Sequence, residues 1–354
     1  MRIGIPTEIK PKEGRVALVP AAAAEIVRGG HEVYIQSEAG VRTGYPDEAY
    51  TRVGVKIVDD AAELYARAQM IVKVKEPIEQ EFDLLREDHL LFSFLHLAAL
   101  PELARILQDK GLTAVAWETV QEQGKLPILA PMSEIAGRLA MQIGTTLLHQ
   151  HNGGRGVMIG GVPSADRGHV VVIGAGSVGI NAAGVAAALG ARVTVFDIRR
   201  EGLIRANALG PNVTGLPAYG ELIAEAVSDA DLLVGAVLIP GAKAHRSVTE
   251  TMVRGMKAGS VIVDVSVDQG GCVETIHPTS YEDPTYVMHD VVHFGVTNLP
   301  GAVPATSSQA LSSVVAPYAL RLASEGGLSD PALRGAINVA QGRIVHPAVA
   351  EALG

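Results

Sequence analysis

The sequence is poor in cysteine, in aromatic residues and in charge. Of its 354 residues, one is a cysteine, 4% are aromatic and 19% are charged. The lone Cys272 excludes an internal disulfide and is typical of a reducing compartment. It has no histidine or other base beside it, so we interpret it as a small buried residue rather than a nucleophile. A Gly-x-Ser-x-Gly motif is also missing, which leaves a serine hydrolase without support.

Basic charge and long apolar runs are missing as well. The formal net charge is −9, and no basic stripe is present, so nucleic acid is not an expected partner. No segment offers 18 clean apolar residues, so we expect neither a transmembrane helix nor a membrane partner. The first residues are those of a strand rather than a signal peptide, and we expect a cytoplasmic location.

Alanine, valine and glycine are abundant, and they alternate in strand-like and helix-like segments. A chain of this length suggests about two domains. Alternation of strands and helices predicts an α/β fold with mostly parallel sheets covered on both faces. Predicted strands occupy residues 3–6, 32–36, 70–75, 90–95 and 113–117 in the first part, and 232–237 and 261–267 further on. Predicted helices occupy residues 20–28, 61–66 and 101–109.

Two breaks divide the chain. A helical period runs over 133–149, with Ser133 as a predicted N-cap after Pro131, and residues 152–156 then interrupt it. A second break at 300–304 precedes a predicted amphipathic helix over 307–324 that Pro317 interrupts. The tail has too little apolar material for its own core. We expect two Rossmann-like doubly wound domains with a cleft between them: a discontinuous substrate domain (1–130 and 304–354) and a nucleotide domain (131–303).

A glycine motif near the middle of the chain carries the strongest signal. The β-branched run 170–173 is followed by Gly174, Gly176 and Gly179 in a Gly-x-Gly-x-x-Gly pattern, and an alanine-rich helical segment comes next. The first glycine permits the tight turn, the second allows backbone amides to approach a pyrophosphate, and the third allows close packing of helix and strand. The helix N-terminus then faces the diphosphate charge. This context predicts a dinucleotide site.

An acid at the end of the next strand bears on the choice of dinucleotide. Asp197 lies about 20 residues beyond the motif, where a carboxylate accepts hydrogen bonds from ribose hydroxyls and repels a 2′-phosphate. Arg199 and Arg200 follow directly, and an arginine there can host that phosphate. The acid favours NAD, and NADP remains the alternative.

Polar residues in the first domain stand where its sheet is expected to open onto the cleft. Arg15 precedes a predicted helix, Lys75 closes a predicted strand, and His96 follows another. Lys73 shares the strand parity of Lys75. A lysine at a strand end is commonly a solvated surface group, and a lone histidine beside an apolar run is commonly a core residue. The pattern makes the three residues candidates and leaves both interpretations open.

The second domain adds further candidates. Asp268 closes the predicted strand 261–267 and faces the expected nicotinamide, whereas Asp264 lies mid-strand and is interpreted as structural. Asn298 stands at another carboxyl end and could bound the cofactor. His289 and His293 share an i, i+4 spacing, but no third ligand stands at a recognised distance, so we predict no metal.

On these residues, the chain resembles the alanine dehydrogenase family over nearly its whole length. The matching stretches lie at 4–8, 15–18, 72–77, 94–98, 131–137, 235–242 and 268–272. The resemblance implies reversible, NAD-dependent oxidative deamination of L-alanine to pyruvate and ammonium. It implies that Arg15 and Lys75 hold the substrate, and that His96 and Asp268 serve the proton chemistry. The cofactor positions are Ser133, Gly174, Gly176, Ser177, Val178, Gly179, Asp197, Val237, Leu238, Val265, Ser266, Val267, Asp268, Asn298 and Leu299.

Two other functions are compatible with a dinucleotide site. One is the NAD(H)-binding alpha subunit of a proton-translocating transhydrogenase, which works in a membrane complex. The other is an NAD sensor without enzymatic activity. Arg15, Lys75, His96 and Asp268 together favour the dehydrogenase, because neither alternative needs this set of polar side chains. The resemblance further implies a homohexamer.

Overall fold

The structure is a computed structural model that describes residues 1–237 and 245–353. It divides into two compact units. Unit 1 comprises Met1–Met132 and the chain from Gly301 onward, and unit 2 comprises Ser133–Pro300. The first unit is therefore discontinuous in sequence, and the chain passes between the units at residues 132–133 and 300–301.

Strands and helices alternate through both units. The strands are β1 Arg2–Ile5, β2 Glu32–Gln36, β3 Lys56–Val58, β4 Met70–Val72, β5 Leu90–Ser93, β6 Thr113–Ala116, β7 His169–Ile173, β8 Arg192–Asp197, β9 Val213–Pro217, β10 Leu232–Gly235, β11 Val261–Asp264, β12 Thr285–Met288, β13 Val291–Phe294, β14 Ile337–Ala340 and β15 Arg343–Ile344. The helices are α1 Pro20–Arg28, α2 Asp47–Thr51, α3 Ala61–Arg67, α4 Glu79–Phe82, α5 Pro101–Asp109, α6 Ala130–Leu147, α7 Ser177–Ala188, α8 Arg200–Asn207, α9 Gly220–Ser228, α10 Glu250–Arg254, α11 Pro304–Ala323, α12 Pro331–Arg334 and α13 Pro347–Leu353.

Unit 1 is built on a sheet with the strand order β15-β14-β6-β5-β4-β1-β2-β3. The pairs among β1 to β6 are parallel, whereas β14 joins β6 antiparallel. The last segment of the chain thus completes the sheet that the first segment begins. Parallel neighbours place their carboxyl ends at one edge, where ligands bind in α/β folds.

Helix α11 also ties the two segments of unit 1 together. Its Ser308 hydroxyl accepts the Val16 N–H at 2.9 Å, and its Ser312 hydroxyl accepts the Val19 N–H at 2.9 Å. These valines lie in the loop that carries Arg15, between β1 and α1. Buried loop amides need partners, and here serines from the far end of the sequence supply them.

Unit 2 is built on a second sheet with the order β12-β13-β11-β10-β7-β8-β9. It is parallel except for β12, which pairs antiparallel with β13. Strands β7, β10 and β11 are buried along their whole length. This burial explains their continuous runs of valine, isoleucine and leucine, which strands covered on both faces require.

Three strands end earlier than their apolar runs suggest: β4 at Val72, β5 at Ser93 and β11 at Asp264. The prediction that Lys75 and Asp268 close strands is therefore wrong. In each case a carboxylate takes a backbone N–H just past the strand end. Glu8 accepts from Val74 after β4, Glu118 accepts from Leu95 after β5, and Asp264 accepts from Ser266 after β11. Once an amide is bonded to a side chain, it no longer extends the sheet ladder.

Two helix predictions are also corrected. Ser133 is not an N-cap, because α6 begins at Ala130 and contains Pro131 in its first turn. Proline suits that turn, where the missing N–H costs nothing. Helix α11 continues through Pro317 rather than breaking there. An internal proline costs about 3 kcal/mol, which the burial of neighbours such as Val315 offsets. No helix within the described residues meets the length and apolarity needed to span a bilayer.

Candidate active site and cofactor site

The predicted glycine motif of unit 2 forms the turn between β7 and α7. Gly174 has a φ of +103°, in the region that favours glycine, and a Cβ there would lie 2.5 Å from the Ala236 carbonyl oxygen. A Cβ on Gly179 would lie 1.8 Å from the Gly174 carbonyl oxygen. Both glycines are therefore required by backbone packing alone.

Gly176 differs from the other two glycines of the motif. It precedes the first residue of α7, Ser177, and a Cβ added to it would meet no protein atom within 4 Å. Protein packing therefore gives no reason for a glycine at this position. A pyrophosphate approaching the amides at the start of α7 does give one. The turn fits a dinucleotide.

This contrast gives the first prediction. We expect Gly176→Ala to fold normally and to weaken NADH binding, because overpacking of about 1–3 kcal/mol corresponds to roughly fivefold to 150-fold in Kd. Gly179→Ala should instead lower the melting temperature. Fluorescence titration with NADH and thermal unfolding measure the two effects. Unchanged NADH affinity in a folded Gly176→Ala protein would remove the pyrophosphate from this turn.

Asp197 closes β8 and is nearly buried. Its Oδ2 accepts the Ala175 N–H at 2.7 Å, and its Oδ1 accepts the Arg199 N–H at 2.7 Å. The Arg199 side chain is mostly exposed, with its Nε 3.4 Å from the same carboxylate. Asp197 thus joins the glycine turn to the end of the next strand, and the remaining acceptor capacity of its oxygens suits ribose hydroxyls.

Of the other predicted cofactor residues of unit 2, Val237 lies just after β10 and Ser133 lies in α6. Val237 follows β10, and a Cβ on Gly174 would lie 3.3 Å from its amide nitrogen. Leu238 falls outside the described residues. Ser133 lies in the first turn of α6, one turn before Gly137, where a Cβ would lie 2.1 Å from the carbonyl oxygen of Val178.

A short 3-10 helix follows β11 and carries Val265, Ser266, Val267 and Asp268. Ser266 and Val267 are buried, and Asp268 is exposed. The Asn298 amide lies 3.4 Å from Asp268 Oδ2. Asn298 has a φ of +55°, and Leu299 beside it is buried.

In unit 1, the predicted residues Lys75 and His96 follow the neighbouring parallel strands β4 and β5. Arg15 lies in the loop after β1, the next strand in the sheet. Because parallel neighbours share their carboxyl edge, the topology brings these three residues to the same edge of the sheet. The electrostatics agree, since the Arg15 charge acts on Lys75.

Arg15 is buried, with 3% of its surface exposed. Its Nε and Nη2 bond to the two carboxylate oxygens of Glu13, at 2.7 and 2.5 Å. Its Nη1 lies 3.3 Å from the Met132 sulfur, which is a weak acceptor. The bidentate pair fixes the plane of the guanidinium, so Glu13 determines where the opposite edge of Arg15 points.

The two lysines after β4 have different environments. Lys73 is 1% exposed, and its Nζ lies 2.9 Å from Glu81 Oε2 and 3.6 Å from Glu8 Oε2. Burial would lower its pKa, but the two carboxylates outweigh burial and raise it. The pKa of Lys75 is lowered, mainly by burial and further by Arg15 and Lys10. Lys73 is therefore a paired core residue, whereas the carboxylates near Lys75 do not outweigh its burial.

His96 is exposed and has a φ of +50°, a conformation uncommon for a residue other than glycine. Its backbone N–H lies 2.6 Å from Glu118 Oε1, and that of Leu95 lies 3.2 Å from Glu118 Oε2. The His96 ring lies beside that of Phe94, with 5.8 Å between centroids. Glu118 follows β6, so an adjacent strand holds the backbone of the histidine.

Three carboxylates that bond to the backbone of candidate residues were not predicted from the sequence. Glu8, Glu13 and Glu118 each accept the backbone N–H of a candidate residue, namely Lys75, Arg15 and His96. An acid in a loop is ordinarily solvated, and two of these pairs are 22 and 67 residues apart in sequence. The Arg15 pair, two residues apart, was the one that a local sequence pattern could have indicated.

The residues weighed for metal binding or nucleophilic chemistry have other partners. His289 lies in the turn after β12 with its Nε2 2.9 Å from Glu250 Oε1. His293 is buried in β13 and contacts the Thr275 hydroxyl at 2.8 Å. Across residues 1–237 and 245–353, no group of three potential ligands could hold a metal. Burial raises the pKa of the Cys272 thiol well above its usual value, which opposes nucleophilic reactivity.

Family models match both parts of this chain. The profile of the alanine dehydrogenase/PNT N-terminal domain matches residues 4–136, and that of the C-terminal domain matches residues 140–347. The alanine dehydrogenase of Bacillus subtilis is 48% identical over 100% of this chain and 95% of its own length. That of Methanococcus maripaludis is 46% identical over 99% of this chain and 96% of its own.

Solved structures give the same result. An L-alanine dehydrogenase superposes with a TM-score of 0.96 at 48% identity, covering 99% of both chains. A transhydrogenase from Sinorhizobium meliloti superposes with a TM-score of 0.87 at 23% identity, covering 98% of this chain and 100% of its own, and it shares the fold. On both domain matches and the full-length relatives, the chain belongs to the alanine dehydrogenase/PNT family.

Proposed function

We propose that this protein catalyses the reversible reaction of L-alanine, NAD and water to pyruvate, ammonium, NADH and a proton. It is an NAD-dependent amino-acid oxidoreductase, and NAD is its cofactor. The observation that carries the proposal is the placement of Arg15, Lys75 and His96 after three neighbouring strands of one sheet. When bound, the nicotinamide ring supplies the acceptor for the hydride that leaves the substrate Cα.

Arg15 and Lys75 bind the substrate in this proposal. A carboxylate is a much stronger acceptor than a thioether, so the substrate carboxylate takes the place of the Met132 sulfur at Arg15 Nη1. Glu13 keeps the guanidinium oriented for that contact. The Lys75 ammonium donates to the carbonyl oxygen of pyruvate and stabilises negative charge as it develops there.

The lowered pKa of Lys75 has a consequence for the pH profile. Lys75 loses its proton at a lower pH than an ordinary lysine, because of its burial and the charges of Arg15 and Lys10. We expect kcat/KM for pyruvate to fall as pH rises through that pKa. Lys75→Arg, which stays protonated, should move the fall to higher pH at reduced overall activity. An alkaline limb unchanged in Lys75→Arg would assign it to another group.

His96 and Asp268 carry the proton chemistry. Water must add to the imine and ammonia must leave, and both steps move protons near neutral pH. An imidazole both donates and accepts protons in that range, and His96 is exposed to do so. The Asp268 carboxylate orients water or ammonia, or balances a nearby cation.

The test is a panel of 2-keto acids with ammonium, assayed in parallel with NADH and NADPH. We expect oxidation of NADH with pyruvate, and NADH formation from L-alanine, by the purified chain without a partner. A chain that binds NADH and turns over no 2-amino or 2-keto acid would refute the proposal. Preference for NADPH would show that Arg199 and Arg200 outweigh Asp197.

We further infer that the enzyme is located in the cytoplasm, that it assembles as a homohexamer, and that its partners are small-molecule substrates. The lone Cys272, buried and unpaired, supports a reducing compartment, and family membership supports the assembly. Light scattering should give a mass of about six times 36.9 kDa. A mass of one or two chains would contradict the hexamer.

A further inference from the structure

A buried carboxylate, that of Asp264, lies beneath the loop that carries Asp268. Asp264, the last residue of β11, is 1% exposed. Its Oδ1 accepts the Ser266 N–H at 2.8 Å. Its Oδ2 accepts the Cys272 N–H at 2.8 Å and the Val273 N–H at 3.0 Å. One buried carboxylate therefore bonds to both ends of the segment 265–273.

The surroundings of this carboxylate are built from small residues. A Cβ on Gly235 of β10 would lie 2.5 Å from Asp264 Oδ1, and a Cβ on Gly271 would lie 3.1 Å from Oδ2. The Cys272 sulfur lies 3.8 Å from Oδ1. Close packing around the carboxylate on three sides fixes its position, and so fixes the amides that bond to it.

The segment between those amides reverses sharply. Gly270 and Gly271 have φ values of +92° and +77°, and Asp268 stands just before them in the 3-10 helix. Within the segment, the Gly270 N–H bonds to the Val267 carbonyl and the Gly271 N–H to the Ser266 carbonyl. The Asn298 N–H lies 3.4 Å from Oδ2 of the exposed Asp268. The Asp264 bonds anchor the residues on either side of this turn to the end of β11, and so contribute to the direction of the Asp268 side chain.

We propose that Asp264 is a positioning residue for Asp268, holding the two ends of its loop so that the Asp268 carboxylate is oriented before substrate binds. This inference rests on the proposed function of Asp268. Asp264 itself contacts backbone amides of the loop and not the reacting atoms. A misplacement of about 1 Å in a catalytic group can cost on the order of a hundredfold in rate.

The test is a double-mutant cycle on turnover with L-alanine. Asp264→Asn replaces one acceptor oxygen by a donor NH2, which opposes the N–H groups of the loop. We expect Asp264→Asn to lower kcat by about tenfold to a hundredfold, with NADH still bound. In an Asp268→Asn background the same change should cost less than about twofold, because effects of residues that act through one another are not additive. Additive losses would overturn the proposal.

Two further measurements keep the result interpretable. Asp283→Asn makes the same chemical change at an exposed aspartate of unit 2 and should leave kcat unchanged. If Asp264→Asn does not fold, hydrogen exchange on the unaltered enzyme decides: the amides of Ser266, Cys272 and Val273 should be protected before cofactor is added. Exchange at the rate of free peptide would overturn the proposal. An unaltered enzyme inactive on alanine would instead refute the proposed function, while the exchange result still judges the role of Asp264.

Discussion

Replacing His96 by alanine is expected to lower kcat for alanine oxidation by on the order of a hundredfold or more, the usual contribution of general acid–base catalysis. The fold should survive, because the ring is exposed and the backbone is held through its N–H by Glu118. NADH affinity should change little, since the predicted cofactor residues lie in unit 2. Steady-state kinetics, thermal unfolding and NADH titration measure the three quantities.

His96→Asn separates the proton chemistry from the backbone conformation. Asparagine tolerates the positive φ that this position has, but it cannot transfer a proton near neutral pH. We expect it to be as inactive as His96→Ala, with partial recovery on addition of imidazole. His151→Ala, at an exposed histidine of unit 2, is the control and should keep full activity. Normal turnover in His96→Asn would remove the histidine from the mechanism.

The second large effect is on stability and concerns Lys73. Lys73→Ala leaves the buried carboxylates of Glu8 and Glu81 without their cation, and breaking a buried pair costs about 3–5 kcal/mol. Urea unfolding at neutral pH should show a loss of that order. Lys75→Ala is the matched variant two residues away. It should lose most turnover while keeping most of the stability, because the fold lowers the pKa of Lys75 and so disfavours its charged form, whereas it raises the pKa of Lys73.

The sign of the pH dependence follows from Glu8. Its pKa is already raised by burial, and Lys73 opposes that rise, so removing Lys73 raises it further. A carboxyl whose pKa is higher in the folded than in the unfolded state reduces stability as pH rises between the two values. The Lys73→Ala variant should therefore lose less stability at pH 5 than at pH 8. A loss that is equal at both values would show that Glu8 is not the group responsible.

The dinucleotide turn could be predicted from sequence because its requirements are local. Gly179 and Asp197 are explained by contacts within one strand–helix–strand unit. Gly174 is explained by its own positive φ and by its close approach to Ala236, which follows β10. The family motifs also identify Arg15, Lys75 and His96. These motifs do not show which contacts hold each of these residues in place.

The contacts that hold these residues join positions that are distant in sequence. The ends of β4 and β11 are determined by Glu8 and Asp264, and an apolar run gives no sign that a carboxylate will take the next amide. Lys73 and Lys75 have the same strand parity, so periodicity cannot separate them, whereas the ion pair with Glu81 does. The prediction of Ser133 as an N-cap is wrong because Pro131 is compatible with the first turn of a helix as well as with the segment that precedes one.

The serines of α11 have a consequence for synthesis on the ribosome. The Val16 amide has its partner, Ser308, 292 residues later in the chain. At translation rates of about 5–20 residues per second, that partner follows roughly 15–60 seconds after the valine. The Val16 amide in the Arg15 loop therefore lacks its hydroxyl partner while unit 2, whose residues are contiguous, is synthesised in full. Unit 1 starts first and is completed last, and during that interval its unfinished loop is exposed to chaperones and proteases.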